Sequence, residues 1–348
     1  MKAIVVESFG PPEALLLRER PDPIAGPGQV VVRIHAAGVN PVDTYIRAGT
    51  HARKPALPYT PGSDAAGVVE SVGAGVTRVT AGDRVFTSGA LTGTYAEKAL
   101  CLEAQVHPLP QRISFAQGAG VFVPYATAWR AIHQRAQARP GEKLLVHGAS
   151  GGVGVAALQI GRAWGLSVVG TAGTAKGLAL VESLGARAVD HTKDGDYSAR
   201  LAASGSGYDV ILEMLANVNL AADLKLLAMG GRVVVIGSRG PVEIDAREAM
   251  KRDGVILGMS LFNASEREMG AVLAALGAGL ADGTLAPLAG RELPLAEAAQ
   301  AHRLVMEPGA YGKIALRLDH PSNPSPSNAG PSNASPSNAG PSKPSTVS

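Results

Sequence analysis

The stretch Lys143-Leu144-Leu145-Val146-His147-Gly148-Ala149-Ser150-Gly151-Gly152-Val153-Gly154, followed by a helical run over 155–164, decides the fold. An apolar strand that runs into a glycine-rich turn and then a helix is the context a dinucleotide-binding loop requires. Glycine lets the backbone approach a pyrophosphate, and the free N–H groups at the helix start carry the positive charge that holds it. Gly151 and Gly154 take the last two glycine positions of that fingerprint, while Ala149 stands where the strict form has its first. A tight strand-to-helix connection alone also produces such a turn, so the reading depends on what surrounds it.

Apolar runs at 143–147, 167–172, 187–190, 209–214, 232–237 and 254–259 alternate with Ala/Leu-rich helical stretches. That alternation predicts a doubly wound parallel six-stranded sheet of the Rossmann type, expected over 119–264. Ahead of it, residues 1–118 carry short β-like runs at 30–34 and 67–72 between Gly and Pro turns, which predict a β-rich, barrel-like domain. Behind it, 265–280 has helical periodicity and 312–318 alternates like a strand, so 265–320 is expected to return to the first domain. Residues 321–348 are almost wholly Pro, Ser, Asn, Gly and Ala, with nothing to anchor a core. They are expected to form a disordered tail, either a tether or a solvated appendage.

Composition agrees with an α/β class. The 348 residues exceed what one core usually serves, and 46% hydrophobic content supplies two. Only 4% of residues are aromatic against 43 glycines, which suits helices packed tightly on a parallel sheet. The net charge of +3 comes without any run of Lys or Arg longer than two, so no stripe for a nucleic-acid backbone is visible. One cysteine, Cys101, excludes an intramolecular disulfide and a multi-thiolate zinc site, and points to the cytoplasm. The first residues have no signal-peptide core, and no segment is long and apolar enough to span a membrane.

The second strand and its turn, Ser167-Val168-Val169-Gly170-Thr171-Ala172-Gly173-Thr174, end without the Asp or Glu that an NAD enzyme sets against its ribose. The next acid is Glu182, inside the following helix. With no carboxylate to repel a 2′-phosphate and Lys176 near to attract one, NADPH is preferred over NADH. Lys176 reads equally well as a solvated helix residue.

Zinc dehydrogenases of this size need a Cys or His trio. The loops Gly38-Val39-Asn40-Pro41-Val42-Asp43-Thr44-Tyr45 and Pro61-Gly62-Ser63-Asp64-Ala65-Ala66-Gly67 offer none, so a metal-free mechanism is expected. The same loops, with 146–154, Glu213-Met214-Leu215-Ala216-Asn217-Val218-Asn219-Leu220 and 230–240, resemble zeta-crystallin quinone reductases, zinc-free members of the medium-chain dehydrogenase/reductase superfamily. The resemblance covers 1–318 and leaves the tail unmatched.

That resemblance implies a GroES-like catalytic domain, a Rossmann domain, NADPH, a quinone substrate and a homodimer or homotetramer. Carried over residue by residue, it places cofactor contacts at Tyr45, Ser150, Gly151, Gly152, Val153, Gly173, His191, Asn219, Ile236, Gly237, Ser238, Arg239, Met259, Ser260 and Leu261. Alternatives stay open. Asn219 also reads as the N-cap of a helix over 220–227, Arg239 as a surface residue, and His191 as a strand-end histidine satisfied by backbone. Tyr45, Asn40 and Tyr59 are the candidates for lining a quinone pocket and donating hydrogen bonds to it, against core tyrosines and a turn asparagine. The runner-up activity is NADPH-dependent reduction of an enone or enoyl thioester; AU-rich RNA binding or a structural crystallin-like role is the reading from another class.

Overall fold

The computed structural model describes residues 1–192, 197–202, 205 and 207–318; the expected tail at 321–348 lies outside the described residues. In chain order the strands are β1 (Lys2–Val5), β2 (Leu16–Glu19), β3 (Gln29–Val39), β4 (Asp64–Val72), β5 (Arg84–Ser88), β6 (Lys98–Leu102) and β7 (Val106–Pro108). Then follow β8 (Lys143–Val146), β9 (Ser167–Ala172), β10 (Arg187–Asp190), β11 (Tyr208–Glu213), β12 (Leu227–Val235), β13 (Val255–Gly258), β14 (Ala289–Pro294) and β15 (Lys313–Arg317).

The middle group forms a six-stranded sheet in the order β10-β9-β8-β11-β12-β13, every pair parallel. This is the doubly wound sheet that the apolar runs predict. Helices Gly152–Ala163 and Ala216–Leu226 cover opposite faces. Alternate residues of one strand therefore enter different cores: Leu144, Val146, Val210 and Leu212 pack in a cluster with Ala156 and Leu158, while Leu145 and Ile211 pack with Leu220 and Leu224. Burial on both faces explains why these strands read as continuous apolar runs.

Strands β3 to β7 with β14 and β15 form a second large sheet, in the order β14-β15-β3-β4-β5-β7 with β6 also on β3, and β1 pairs with β2 in a separate two-stranded sheet. The last strand lies antiparallel to β3, Leu316 opposite Ala37, and thereby ties residue 313 to the loop after β3. Ile4, Val30, Val32, Ile34, Val85, Tyr95 and Leu316 form the core of this part.

Two boundaries differ from the sequence reading. The helix after β11 spans Ala216–Leu226 with Leu215 as its N-cap, so Asn219 lies inside its first turns and is not the cap. The strand β12 begins at Leu227 rather than 232, because Tyr208 pairs with Leu227 before the register shifts to Val210 against Arg232. Gly230 and Gly231 lie within that strand as an irregularity of the ladder, a place where glycine mimics a turn in sequence.

Candidate active site

The glycine loop is built as its sequence requires. Gly151 caps the helix Gly152–Ala163, and Gly151 N–H closes a tight turn onto the Gly148 carbonyl at 3.1 Å. A Cβ on Gly154 would lie 2.4 Å from the Gly148 oxygen and 2.5 Å from Ala149 Cα, so only glycine lets helix and loop pack. Ser150 is held from the chain's far end: its hydroxyl donates to the Ala310 carbonyl at 2.7 Å, and Gly312 N–H donates to the Ser150 carbonyl at 2.7 Å.

The other cofactor candidates gather at the carboxyl ends of the parallel strands. Past β9, Gly173 lies against His191, whose Nε2 would be 2.6 Å from a Cβ there. His191 is exposed, and the partial burial of its ring pulls its pKa down. Lys176 is exposed in the first turn of the helix Ala175–Ser183, its ammonium 3.8 Å from the centre of the Tyr311 ring. Beyond β12, Ile236 and Gly237 approach the end of β11, where a Cβ on Gly237 would meet the Met214 carbonyl at 2.4 Å. Ser238 and Arg239 are exposed; the Ser238 hydroxyl donates to the Gly240 carbonyl, and Arg239 N–H to Asn217 Oδ1. Met259 and Leu261 are buried on either side of exposed Ser260 after β13.

The three pocket candidates sit in different surroundings. Tyr45 is half-buried on the helix Pro41–Ala48. Asn40 is buried at the start of that helix, where its amide donates to Asp64 Oδ2 at 3.0 Å and its carbonyl oxygen accepts from Lys313. Its polar atoms are thus engaged within the protein. Tyr59 is half-buried, its hydroxyl has no partner among the described residues, and burial with Asp43 nearby pushes its pKa up to about 12.

A cleft of about 1070 Å³ opens between Phe86, Leu109 and Phe122 on one side and Leu261, Phe262 and Met269 on the other. It reaches the cofactor candidate Leu261, whereas Asn40, Tyr45 and Tyr59 do not line it. At its rim, Arg53 lies 5.4 Å from the Phe262 ring centre and His51 meets the same ring edge-on at 6.2 Å. This joins the loop after the Tyr45 helix to the turn after β13.

Residues that the sequence did not single out form two buried clusters. Asp64 accepts from Lys313 Nζ at 2.9 Å, from Asn40, and from Val123 N–H at 2.8 Å. Nearby, Tyr95 donates to Asp43 Oδ2 at 3.1 Å, and burial lifts the Asp43 carboxyl to about 6. At the ends of β8 and β11, His147 and Glu213 converge with Asp223 of the helix Ala216–Leu226, and among the described residues they are the group that could hold a metal ion. The only sequence signal for these was an acid closing an apolar run, as Glu213 does after Val210-Ile211-Leu212.

The profile of the alcohol dehydrogenase GroES-like domain matches residues 26–111, and that of the zinc-binding dehydrogenases matches 152–276. Together with the two sheets and the loop at the strand ends, they make the chain a medium-chain dehydrogenase/reductase. A human quinone oxidoreductase is 48% identical over 322 residues, covering 91% of this chain and 98% of the relative. The quinone oxidoreductase of Thermus thermophilus, solved also in complex with NADPH, superposes with a TM-score of 0.80 at 35% identity, covering 91% of this chain and 100% of that one. An NAD-dependent alcohol dehydrogenase superposes with a TM-score of 0.84 at 31% identity, covering 92% and 100%. Within the superfamily, the chain belongs to the zeta-crystallin-type quinone oxidoreductases.

The zinc in the second profile's description does not fit the loops after β3 and before β4. The loops at 38–45 and 61–67 supply Asn40, Ser63 and Asp64; Cys101 is buried in the core of the β-rich part; and the Lys313 ammonium occupies the cationic place beside Asp64.

Proposed function

We propose that this protein reduces quinones with NADPH, without a metal ion, as a cytoplasmic homodimer or homotetramer. The observation that carries the reading is near-full-length identity of 48% to a quinone oxidoreductase, joined to a glycine loop whose neighbouring strand ends without an acid. No helix of the described residues is long and apolar enough to cross a membrane.

Bound at the strand ends, NADPH supplies the hydride chemistry; the chain's own task is to bind, orient and exclude water. The backbone N–H groups of Ser150, Gly152 and Val153 and the helix dipole hold the pyrophosphate, with the Gly151 N–H closing the turn onto Gly148. Lys176 and the absence of a competing carboxylate favour the 2′-phosphate. Gly173, His191, Asn219, 236–239 and 259–261 line the remainder. The apolar cleft beside Leu261 and Phe262 suits a flat aromatic acceptor. Tyr45, half-buried on its helix and outside the cleft lining, is the candidate to donate a hydrogen bond to a quinone oxygen. Tyr59 stays protonated throughout the neutral range, and its buried, unpartnered O–H is the second candidate donor. Asn40 acts through position, starting the helix that carries Tyr45.

Titration with NADPH and NADH, followed by NADPH oxidation with 9,10-phenanthrenequinone and with an enone in the presence of a zinc chelator, tests the reading. NADPH-selective, chelator-resistant quinone turnover is expected. Turnover confined to the enone would replace the quinone assignment, and absence of nucleotide binding would overturn both.

A further inference from the structure

In the strand order of the six-stranded sheet, the direction of winding reverses between β8 and β11, the place where open α/β sheets bind their ligands. Both strands end there on an ionisable residue. His147 follows β8, and its Nε2 lies 2.8 Å from Asp223 Oδ1 and 3.4 Å from Glu213 Oε2. Its Nδ1 lies 2.9 Å from the Tyr197 hydroxyl, so the ring is fixed on both sides. Glu213 and Asp223 are each 0% exposed. Burial raises the Glu213 carboxyl; burial would depress the His147 imidazole, but Asp223 and Glu213 hold it above its ordinary value.

A buried cluster of this kind gives little net stability, because desolvating the charges offsets most of their attraction. Glu213 Oε2 meets His147 Nε2 at 3.4 Å and has no hydrogen-bond partner among the described residues, so the side chain is held through its other oxygen. The second oxygen of that side chain, Oε1, accepts from Leu215 N–H and from Asn219 Nδ2, the latter at 3.2 Å. A backbone N–H can only donate, so Oε1 is an acceptor and the Asn219 amide must turn its nitrogen toward it. The amide oxygen then faces away from Glu213 as an acceptor of the kind a sugar hydroxyl needs.

We propose that Glu213 is a positioning residue for the cofactor: buried beside His147 and Asp223 and held at Oε1 by Leu215 N–H, it orients the Asn219 amide where β8 and β11 diverge. This rests on the reading of the protein as an NADPH enzyme with Asn219 at its cofactor site. Because the amide is oriented before the nucleotide arrives, binding does not have to order it.

A double-mutant cycle on the full chain, read by calorimetric titration with NADPH, tests this. Glu213→Leu and Asn219→Ala each raise Kd about tenfold, the scale of one hydrogen bond. The double variant raises it no further. Glu213→Gln, which keeps the acceptor, restores wild-type Kd. If Glu213→Leu does not melt cooperatively, Glu213→Ala takes its place with the same expectation. Additive losses, or an unchanged Kd in either single variant, overturn the proposal while wild-type NADPH binding stands. Wild-type protein that does not bind NADPH would instead remove the functional reading on which it rests.

Discussion

Lys313 Nζ and Asp64 Oδ2 lie 2.9 Å apart, both side chains buried, across 249 residues of chain. The pair fastens β15 to β4 beneath the helix that carries Tyr45. Removing one member of a buried pair costs far more than the pair contributes, because the other charge is left without a partner. Lys313→Met should therefore destabilise by about 3–5 kcal/mol, read as a lower urea midpoint at unchanged slope. Adding Asp64→Asn should recover most of that loss. A Lys313→Met variant within about 1 kcal/mol of wild type would show that water already solvates the carboxylate.

The glycine loop makes a steric prediction. A methyl at Gly154 would meet backbone atoms at 2.4 and 2.5 Å, and backbone cannot swing aside as a long side chain can. Gly154→Ala should either displace the loop, raising Kd for NADPH by more than about tenfold, or cost about 1–3 kcal/mol of stability as overpacking does. Wild-type affinity together with a wild-type melting temperature would mean that the loop has slack the packing does not suggest.

Lys176 bears on cofactor choice. Its ammonium rests on the Tyr311 ring at 3.8 Å, next to the end of a strand that offers no acid. Lys176→Ala should lower the NADPH-over-NADH preference about tenfold, through NADPH affinity alone and with a weaker salt dependence. Equal losses for both nucleotides would point to helix stability rather than to the 2′-phosphate.

What the sequence disclosed follows from the range of the interactions involved. The glycine loop, the six parallel strands and the missing acid after β9 are local patterns, legible because a strand, a turn or a helix start depends on adjacent residues. Both buried clusters were hidden for the opposite reason. His147, Glu213 and Asp223 meet only because β8 and β11 are neighbours, and Lys313 reaches Asp64 only because β15 lies on β3. Asn40 illustrates the cost: in sequence it is a polar residue in a zinc-replacing loop, while in the fold Asp64 and Lys313 take up its amide. The start of β12 was misplaced because its first residue, Leu227, pairs with Tyr208 across an interruption at 228–231, and the apolar run resumes only at Arg232.

The core of the β-rich part holds two groups whose titrations oppose each other. His302 is 1% exposed, with Nε2 3.2 Å from the Tyr95 hydroxyl; burial, with Arg47 adding to it, pulls its pKa down to about 3. Below the ordinary histidine value of 6.5 the unfolded chain takes up a proton that the folded one refuses, so His302 removes stability as pH falls from about 6.5 toward 3. At pH 5 that loss is roughly 2 kcal/mol. Asp43, raised to about 6 chiefly by burial, has the reverse sign. Between about 6 and 3.8 its folded form holds the extra proton, so acidification relieves the cost of burying its charge. The two effects offset each other in the wild type between pH 7 and 5. His302→Gln, which can still bond Tyr95, removes one of them. Urea unfolding at pH 7 and pH 5 should show the variant gaining roughly 2 kcal/mol relative to wild type at the lower pH. An unchanged difference would mean that His302 protonates within the folded protein, against the burial that surrounds it.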